Sequence, residues 1–421
     1  MALTIEEVDA IEILDSRSRP TLAVTVKAKT GEIARAGVPS GASTGRREAI
    51  ELRDREDHRF FGQGVQHAVG HVNGAIADAL VGVTFGTQGE LDATLIELDG
   101  TATKERLGAN AIVGVSLATA RLFSILSRQD LWRGLTVSGG TPRLPVPHFN
   151  VVNGGAHAAN KQDFQEFMLA PVGAPNFASA VRAGVEIYGT LRAILLHRGL
   201  ATGLGDEGGF APEIDSPEVV LQLLVEAIAA AGYDASRNGV AIALDPAANE
   251  FFDEGRYVVG GDSLTTGEMI DFYEEILARF PIYSIEDGLA EDDLDGWIEL
   301  TNRLGERVQL VGDDIFATNP GTISQAIEHH IANAALIKVN QVGTVTEALQ
   351  AVSVCRAGGY AQMISHRSGE TEDTFIADLA VGVGCGQIKS GAPARGERIS
   401  KYNRLIEIET RTGMPFGLSD V

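Results

Sequence analysis

Between residues 239 and 391, six short runs of β-branched and aliphatic residues recur, each followed by a helical stretch: GVAIALD, IYSIED, VQLVGDD, AALIKVN, AQMISH and GQIKSG. Parallel strands need a crossover between them, so this alternation predicts a parallel barrel or a doubly wound sheet. The runs end on Asp245, Glu286, Asp313, Lys338, His366 and Lys389, spaced 23 to 41 residues apart. In a parallel barrel all C-terminal strand ends open onto one face, where active sites sit. Any one of these residues could be a solvated loop charge. Six at consecutive strand ends predict one shared pocket.

The first third has a different texture. Alternating TLAVTVKA (21–28) predicts a half-buried strand, with neighbours at 10–14 and 32–38 completing a meander. Val65, Ala68, Val69, Val72, Ile76 and Leu80 then fall on one helical face. Two further helical patterns, GTQGELDATLIELDG and GANAIVGVSLATARLF, follow. Glycine and proline punctuate residues 135–147 without periodicity, which predicts a linker. The expected organisation is a small α+β domain over 1–136 and a domain of βα units, a parallel barrel or doubly wound sheet, over 137–421.

Charge narrows the partners. With 57 acids against 34 lysines and arginines, the formal net charge is −23. Nucleic acid and anionic membranes would repel such a chain, so neither is expected as a partner. The opening MALTIEEVDAIEILDSR lacks the basic flank and apolar core of a signal peptide. No stretch is expected to supply the roughly 18 to 20 apolar residues that span a bilayer. Cys355 and Cys385 lack metal-ligand spacing and are expected to be reduced packing residues of a cytoplasmic protein.

The strand ends carry the chemistry. Asp245, Glu286 and Asp313 end three successive runs, and three carboxylates cannot share a small site in ionised form without a neutralising positive charge. A hard divalent ion, magnesium first, meets that need; ion pairing to Lys338 and Lys389 is the alternative. Asp314 is expected to point away, as a supporting group or a helix cap. Lys338 lies in an apolar strand, where it either snorkels or serves as a base with its pKa lowered by a neighbouring cation. TGLGDEGGFAP is expected to expose Asp206 and Glu207, and NGGAHAANKQDFQEFM offers His157, Gln165 and Glu166. A buried carboxyl from either segment could be a general acid, although Gly-rich acidic turns are often only structural. VPSGASTG (38–45) lacks a P-loop lysine; it could close on a phosphate or lend a hydroxyl to a metal. In Ser365-His366-Arg367-Ser368-Gly369 the guanidinium fork suits a phosphate or carboxylate, and the glycine permits close approach. Ser368 could equally cap a helix. The substrate expected is a phosphorylated small acid.

In order along the chain, SGASTG, LDGT, GANAIVGVSLA, NGGAHA, QEFM, GDEGGFAP, SIEDGLAEDD, VGDDIFATNP, LIKVNQVGTVTEAL, SHRSGETEDT and GQIKSGAPAR resemble the enolase (phosphopyruvate hydratase) family over nearly the whole length. The resemblance implies that the small α+β domain over 1–136 is a capping domain and that 137–421 is an α/β barrel, the enolase-type TIM-like (β/α)8 barrel. It implies reversible dehydration of 2-phosphoglycerate to phosphoenolpyruvate. Lys338 would take the C2 proton and Glu207 would help expel the C3 hydroxyl, with Glu166 beside it. A lysine base beside Mg2+ is a pairing already known for enolase-type sites, and it enters here through the resemblance alone. Asp245, Glu286 and Asp313 would hold one magnesium; a second would arrive with substrate and touch Ser43. Arg367 and Ser368 would clamp the phosphate, and His157, His366, Gln165, Ser365 and Lys389 would complete the pocket. The negative charge that grows on deprotonating carbon beside a carboxylate would be stabilised by two magnesium ions and Lys389. The family also implies a homodimer or a higher homo-oligomer.

Several positions depart from the family pattern. Ser18 and Arg19 replace a Gly-Asn pair, Ala23 replaces an acid, and Glu407 and Arg411 reverse charges. His148-Phe149 replaces two methionines, and Pro246 and Asn249 alter the turn after Asp245. These changes fit an altered subunit interface, expected to include residues 15–20 and 400–411, and an altered pocket. A specialised homologue such as carboxyphosphonoenolpyruvate synthase is the alternative reading. A non-catalytic scaffold would have eroded Lys338, Glu207 or the acids, and a racemase would not need both SGASTG and SHRSG.

Overall fold

The computed structural model describes residues 2–41, 46–55 and 58–418. Ser43 and most of the SGASTG loop lie outside the described residues. The N-terminal part forms a four-stranded sheet in the order β3-β2-β1-β4, built from β1 (Leu3–Leu14), β2 (Pro20–Ala28), β3 (Ile33–Gly37) and β4 (Thr84–Phe85). β1 begins well before the expected residue 10. Its buried residues Leu3, Ile5, Val8 and Ala10 lose strict alternation because the register with β2 shifts between Ile5 and Glu7. Such a bulge hides a strand from a period-2 search. The helical face expected from Val65 to Leu80 is buried, on helical turns that include a π segment at Val72–Ile76.

The helix Ala109–Leu126 corrects one expectation, since by length and composition it could cross a membrane. It packs instead on β2 and β3 as the core helix of this domain, 78% buried. Asn110, Ser116 and Thr119 lie buried in it, and each spends its polar atoms on hydrogen bonds within the chain.

The remainder closes into an eight-stranded barrel. Its strands are β5 (Val146–Asn153), β6 (Glu166–Ala170) and β7 (Ala241–Asp245), then β11 (Ile282–Glu286), β12 (Gln309–Gly312), β13 (Ala334–Ile337), β14 (Ala361–Ser365) and β15 (Gln387–Lys389). A small sheet of β8 (Phe252–Asp253), β9 (Arg256–Val259) and β10 (Asp262–Leu264) intervenes after β7. The six βα runs of the sequence are β7 and β11 to β15.

One strand departs from a uniformly parallel barrel. β6 is antiparallel to both β5 and β7. The segment joining β5 to β6 holds only a 3-10 turn at Gly155–His157 and no crossover helix. Reversal puts the first residue of β6 at the mouth, with Glu166 in register with Asp245 at the end of β7. The functional face thus collects a carboxylate that a parallel strand would have sent to the opposite end.

The two parts meet around the 365–373 segment. Ser40 and Gly369 exchange backbone hydrogen bonds of 2.8 Å. A Cβ on Gly369 would stand 2.7 Å from the Ser40 carbonyl oxygen, so only glycine permits this approach. Asp373 accepts from Gly37 N and from both terminal nitrogens of Arg121. Ser368 does not cap a helix, because the next one begins at Phe375, whose N–H is taken by Asp373.

Candidate active site

Lys389 stands among three carboxylates at the end of β15. Its Nζ lies 2.8 Å from Asp245 Oδ2, 2.9 Å from Glu286 Oε1 and 3.2 Å from Glu166 Oε1. Burial works against its charge, but Asp245, Glu166 and Glu286 outweigh it and hold the ammonium well above its ordinary pKa. Lys338 forms a close ion pair with Asp313 Oδ2, whose other oxygen accepts from Gln341 at 2.8 Å. The pKa of Lys338 therefore lies above normal despite burial, where the sequence pattern led us to expect a fall.

Asp245, Glu286 and Asp313 thus converge, but through lysines. Asp245 and Glu286 share Lys389, while Asp313 is held by Lys338. Among the described residues, the groups whose ligand atoms lie within 4.8 Å of one another are His157, Glu166, Glu207 and Asp287, Asp313, Asp314, so of the three expected ligands only Asp313 falls in such a group. Asp287 receives the backbone N–H of Asp313 and of Asp314 at 2.9 Å each. Burial, then the Asp313 carboxylate, pushes Asp314 up to about 7. Asp314 accepts from Asn249 Nδ2 at 2.8 Å, and its carboxylate stays clustered with those of Asp287 and Asp313 rather than turning away from them.

The donor set fits a hard divalent ion. Glu166, Glu207, Asp245, Glu286 and Asp313 are all buried, and two ammonium groups cannot neutralise five carboxylates. Glu286 Oε2 and Glu166 Oε2 are buried oxygens with no hydrogen-bond partner. Burial first, and the neighbouring Asp245 carboxylate next, drive Glu286 well above the usual carboxyl range.

On the other wall, Glu207 is buried rather than exposed by its glycine turn. Tyr188 fixes that turn through the Gly208 carbonyl, and Glu207 and Gly391 hydrogen-bond into the barrel through Ala392 N and Tyr402 respectively. Asn150 of β5 donates to Glu207 Oε2 at 3.1 Å, and His366 Nε2 stands 3.1 Å from the same oxygen. His157 Nδ1 lies 3.5 Å from Glu166 and 3.8 Å from Glu207, while its Nε2 pairs with Ser368 Oγ at 2.9 Å. Glu166 is pushed well above the carboxyl range by burial and by the Glu207 carboxylate. Glu207, against the same burial, is held well below that range by His366 and His157, so the two carboxyls shift in opposite directions.

The remaining expected residues are less uniform. Gln165 is buried with its Oε1 unpartnered. Ser365 turns its hydroxyl to the His366 carbonyl. The fork of Arg367 is engaged by Glu48 at 2.9 and 3.1 Å, and also by Asn340 at 3.1 Å.

Sequence reasoning missed Glu48 and Arg398. Arg398 is fully buried at the start of the last helix (Gly396–Thr412). It donates to the carbonyls of Arg367, Ser368 and Asp206. Nothing in GERISKYNRLIEIE distinguishes it from a solvent-facing helix charge. Among the departures, Arg411 and Glu407 pair with each other on one helix, and Glu407 also meets Arg404. His148 is buried inside the barrel, neutral, its pKa lowered by burial to about 4.

β13 and β6 are four places apart in the eight-strand order, so Lys338 and Glu166 face each other across the barrel mouth. A barrel with an ammonium on one wall, a carboxyl pair on the other and a bed of acids between them defines a two-domain carboxylate-barrel lyase. Residues 5–135 match the family model of the enolase N-terminal domain, and residues 141–415 match that of the enolase C-terminal TIM barrel domain. The chain is 54% identical over 404 residues to the enolase of Rubrobacter xylanophilus, covering 96% of this chain and 94% of that protein. It is 55% identical over 408 residues to the enolase of Acidothermus cellulolyticus, with the same coverage. The chain belongs to the enolase family. Its activity is that of a phosphopyruvate hydratase, the carbon–oxygen lyase that dehydrates 2-phosphoglycerate.

Proposed function

We propose that Lys338 removes the C2 proton of 2-phosphoglycerate and that the Glu207–Glu166 pair protonates the departing C3 hydroxyl. The opposition of Lys338 and Glu166 across the mouth carries this reading, because elimination needs a base and an acid on different sides of one carbon–carbon bond. Glu166 stores the proton, and Glu207, held between Asn150 and His366, presents it. Lys389 supplies a fixed positive charge where negative charge grows on the substrate carboxylate. Arg367 and Ser368 bind the phosphate, with the guanidinium of Arg367 held in orientation by Glu48. Gln165, His157, His366 and Ser365 line the pocket.

Asp245, Glu286 and Asp313 would hold one Mg2+, and Ser43 would serve a second that comes with substrate. Bound there, magnesium supplies Lewis-acid stabilisation of the carboxylate and phosphate. Its arrival would draw Asp313 from Lys338 and free that lysine to act as a base. Counting magnesium by equilibrium dialysis with and without substrate tests the two-ion proposal; a stoichiometry that substrate leaves unchanged would defeat it.

We place the chain in the cytoplasm as a homodimer or a higher homo-oligomer. Exposed Ile11, Leu14 and Phe61 on the N-terminal part support the assembly. A clean monomer in light scattering of the active protein would overturn it, and cell fractionation checks the location. The mechanism is tested by phosphoenolpyruvate formation and by isotope exchange at C2. Lys338→Ala is expected to lose exchange, and exchange at the wild-type rate would end the assignment of the base.

A further inference from the structure

Asn249 bridges two loops at the barrel mouth. Its Nδ2 donates to Asp314 Oδ2 at 2.8 Å, and its Oδ1 accepts the backbone N–H of Glu291 at 2.8 Å. It sits in the turn after β7, which is itself fixed to Asp287 by the 3.0 Å bond from Ala248 N to the Asp287 carbonyl. Asn249 therefore sets the distance between the segment after β12 and the segment after β11.

The segment after β11 is a platform for two arginines of the N-terminal part. Arg46 Nε lies 3.1 Å from Glu291 Oε1 and its Nη2 lies 2.8 Å from Asp292 Oδ2. Arg47 Nη2 reaches Asp292 at 3.4 Å, and its Nη1 donates to the Ile315 carbonyl at 3.0 Å. Ile315 directly follows Asp314, so Arg47 spans the two loops that Asn249 ties together. One residue further along, Glu48 holds the fork of Arg367, and Ala49 N donates to the Gln341 carbonyl at 2.8 Å.

We propose that Asn249 is a positioning residue, which holds the Glu291–Asp292 platform where Arg46 and Arg47 dock and thereby orders the Arg46–Glu48 segment beside Arg367. Exposed ion pairs of this kind are weak singly, and the Arg46 side chain is 79% exposed. Their contribution depends on a fixed platform, which an amide with one donor and one acceptor supplies. Without it, substrate binding has to order the segment and loses affinity. This inference rests on the reading of Arg367 as the phosphate ligand.

The test uses the full-length chain with N249A, R46A and the double variant. N249A is expected to raise KM for 2-phosphoglycerate by about five- to thirtyfold, the loss of one or two hydrogen bonds, with kcat changed by less than about threefold. Inorganic phosphate, as a competitive inhibitor, is expected to weaken by a similar factor. Trypsin is expected to cut after Arg46 and Arg47 faster in N249A without any substrate. The double variant is expected to be no worse than the poorer single one, because both changes break one chain of contacts. N249S, too short to reach both partners, carries the same test if N249A does not fold. Unchanged KM and unchanged cleavage would overturn the proposal, as would effects that add in the double variant. Failure of the wild type to form phosphoenolpyruvate would instead defeat the functional reading, leaving the cleavage comparison to judge Asn249.

Discussion

Arg398 donates to His366 Nδ1 at 2.6 Å, and that bond determines which nitrogen of the imidazole faces the candidate acid. A guanidinium has only donors, so Nδ1 must be the acceptor and the proton of the neutral ring sits on Nε2. Nε2 is the nitrogen 3.1 Å from Glu207. Burial, helped by the nearby Arg398 charge, lowers the pKa of His366 to about 3, so the ring is neutral across the working range. A residue with no contact to the carboxyl pair thus orients the group that does touch it.

Removing Arg398 tests this arrangement. Arg398→Ala leaves three backbone carbonyls and His366 without their buried partner, and is expected to destabilise the chain by about 3–5 kcal/mol. Arg398→Lys keeps the charge but cannot serve all four acceptors. It is expected to fold and to lose about tenfold or more in kcat with little change in KM. Urea unfolding and steady-state assays read the two effects, and a lysine variant with full kcat would show that the tautomer does not matter.

Glu207→Gln separates the two halves of the reaction. Dehydration is expected to fall by about a hundredfold or more, while exchange at C2 through Lys338 continues. If both processes fell to the same residual level, the division of labour between the walls would be wrong.

Asp373 links pH to stability. Burial works to raise its pKa, but Arg121 and the N–H groups of Phe375 and Gly37 outweigh that and hold it below the ordinary carboxylate value. Its stabilisation is therefore complete above the unfolded-state value, about 4, and is lost as pH falls through the depressed folded value. Asp373→Asn is expected to be less stable than the wild type by about 2–3 kcal/mol near neutral pH. The difference should shrink on acidification, and a gap constant from pH 7 to pH 3 would contradict the assignment.

The chain's local chemistry determined a good deal by itself. Short β-branched and aliphatic runs, each ending near a titratable residue, are local features, and they marked β7 and β11 to β15 with Asp245, Glu286, Asp313, Lys338, His366 and Lys389 at their mouths. Family motifs then named the partners of those residues. What the sequence concealed depends on distance in space. Glu166 reaches the mouth only because β6 runs antiparallel to both neighbours, which the composition of QEFM does not record. Glu207 is buried because the surrounding barrel covers a turn that is locally hydrophilic. Glu48, Arg398 and Asn249 look like surface polar residues, since nothing within a few positions of them records a partner 30 to 319 residues away. Local pattern follows from which face each residue buries, whereas electrostatic pairing and hydrogen bonding in a closed barrel follow from strand order, which only the tertiary structure supplies.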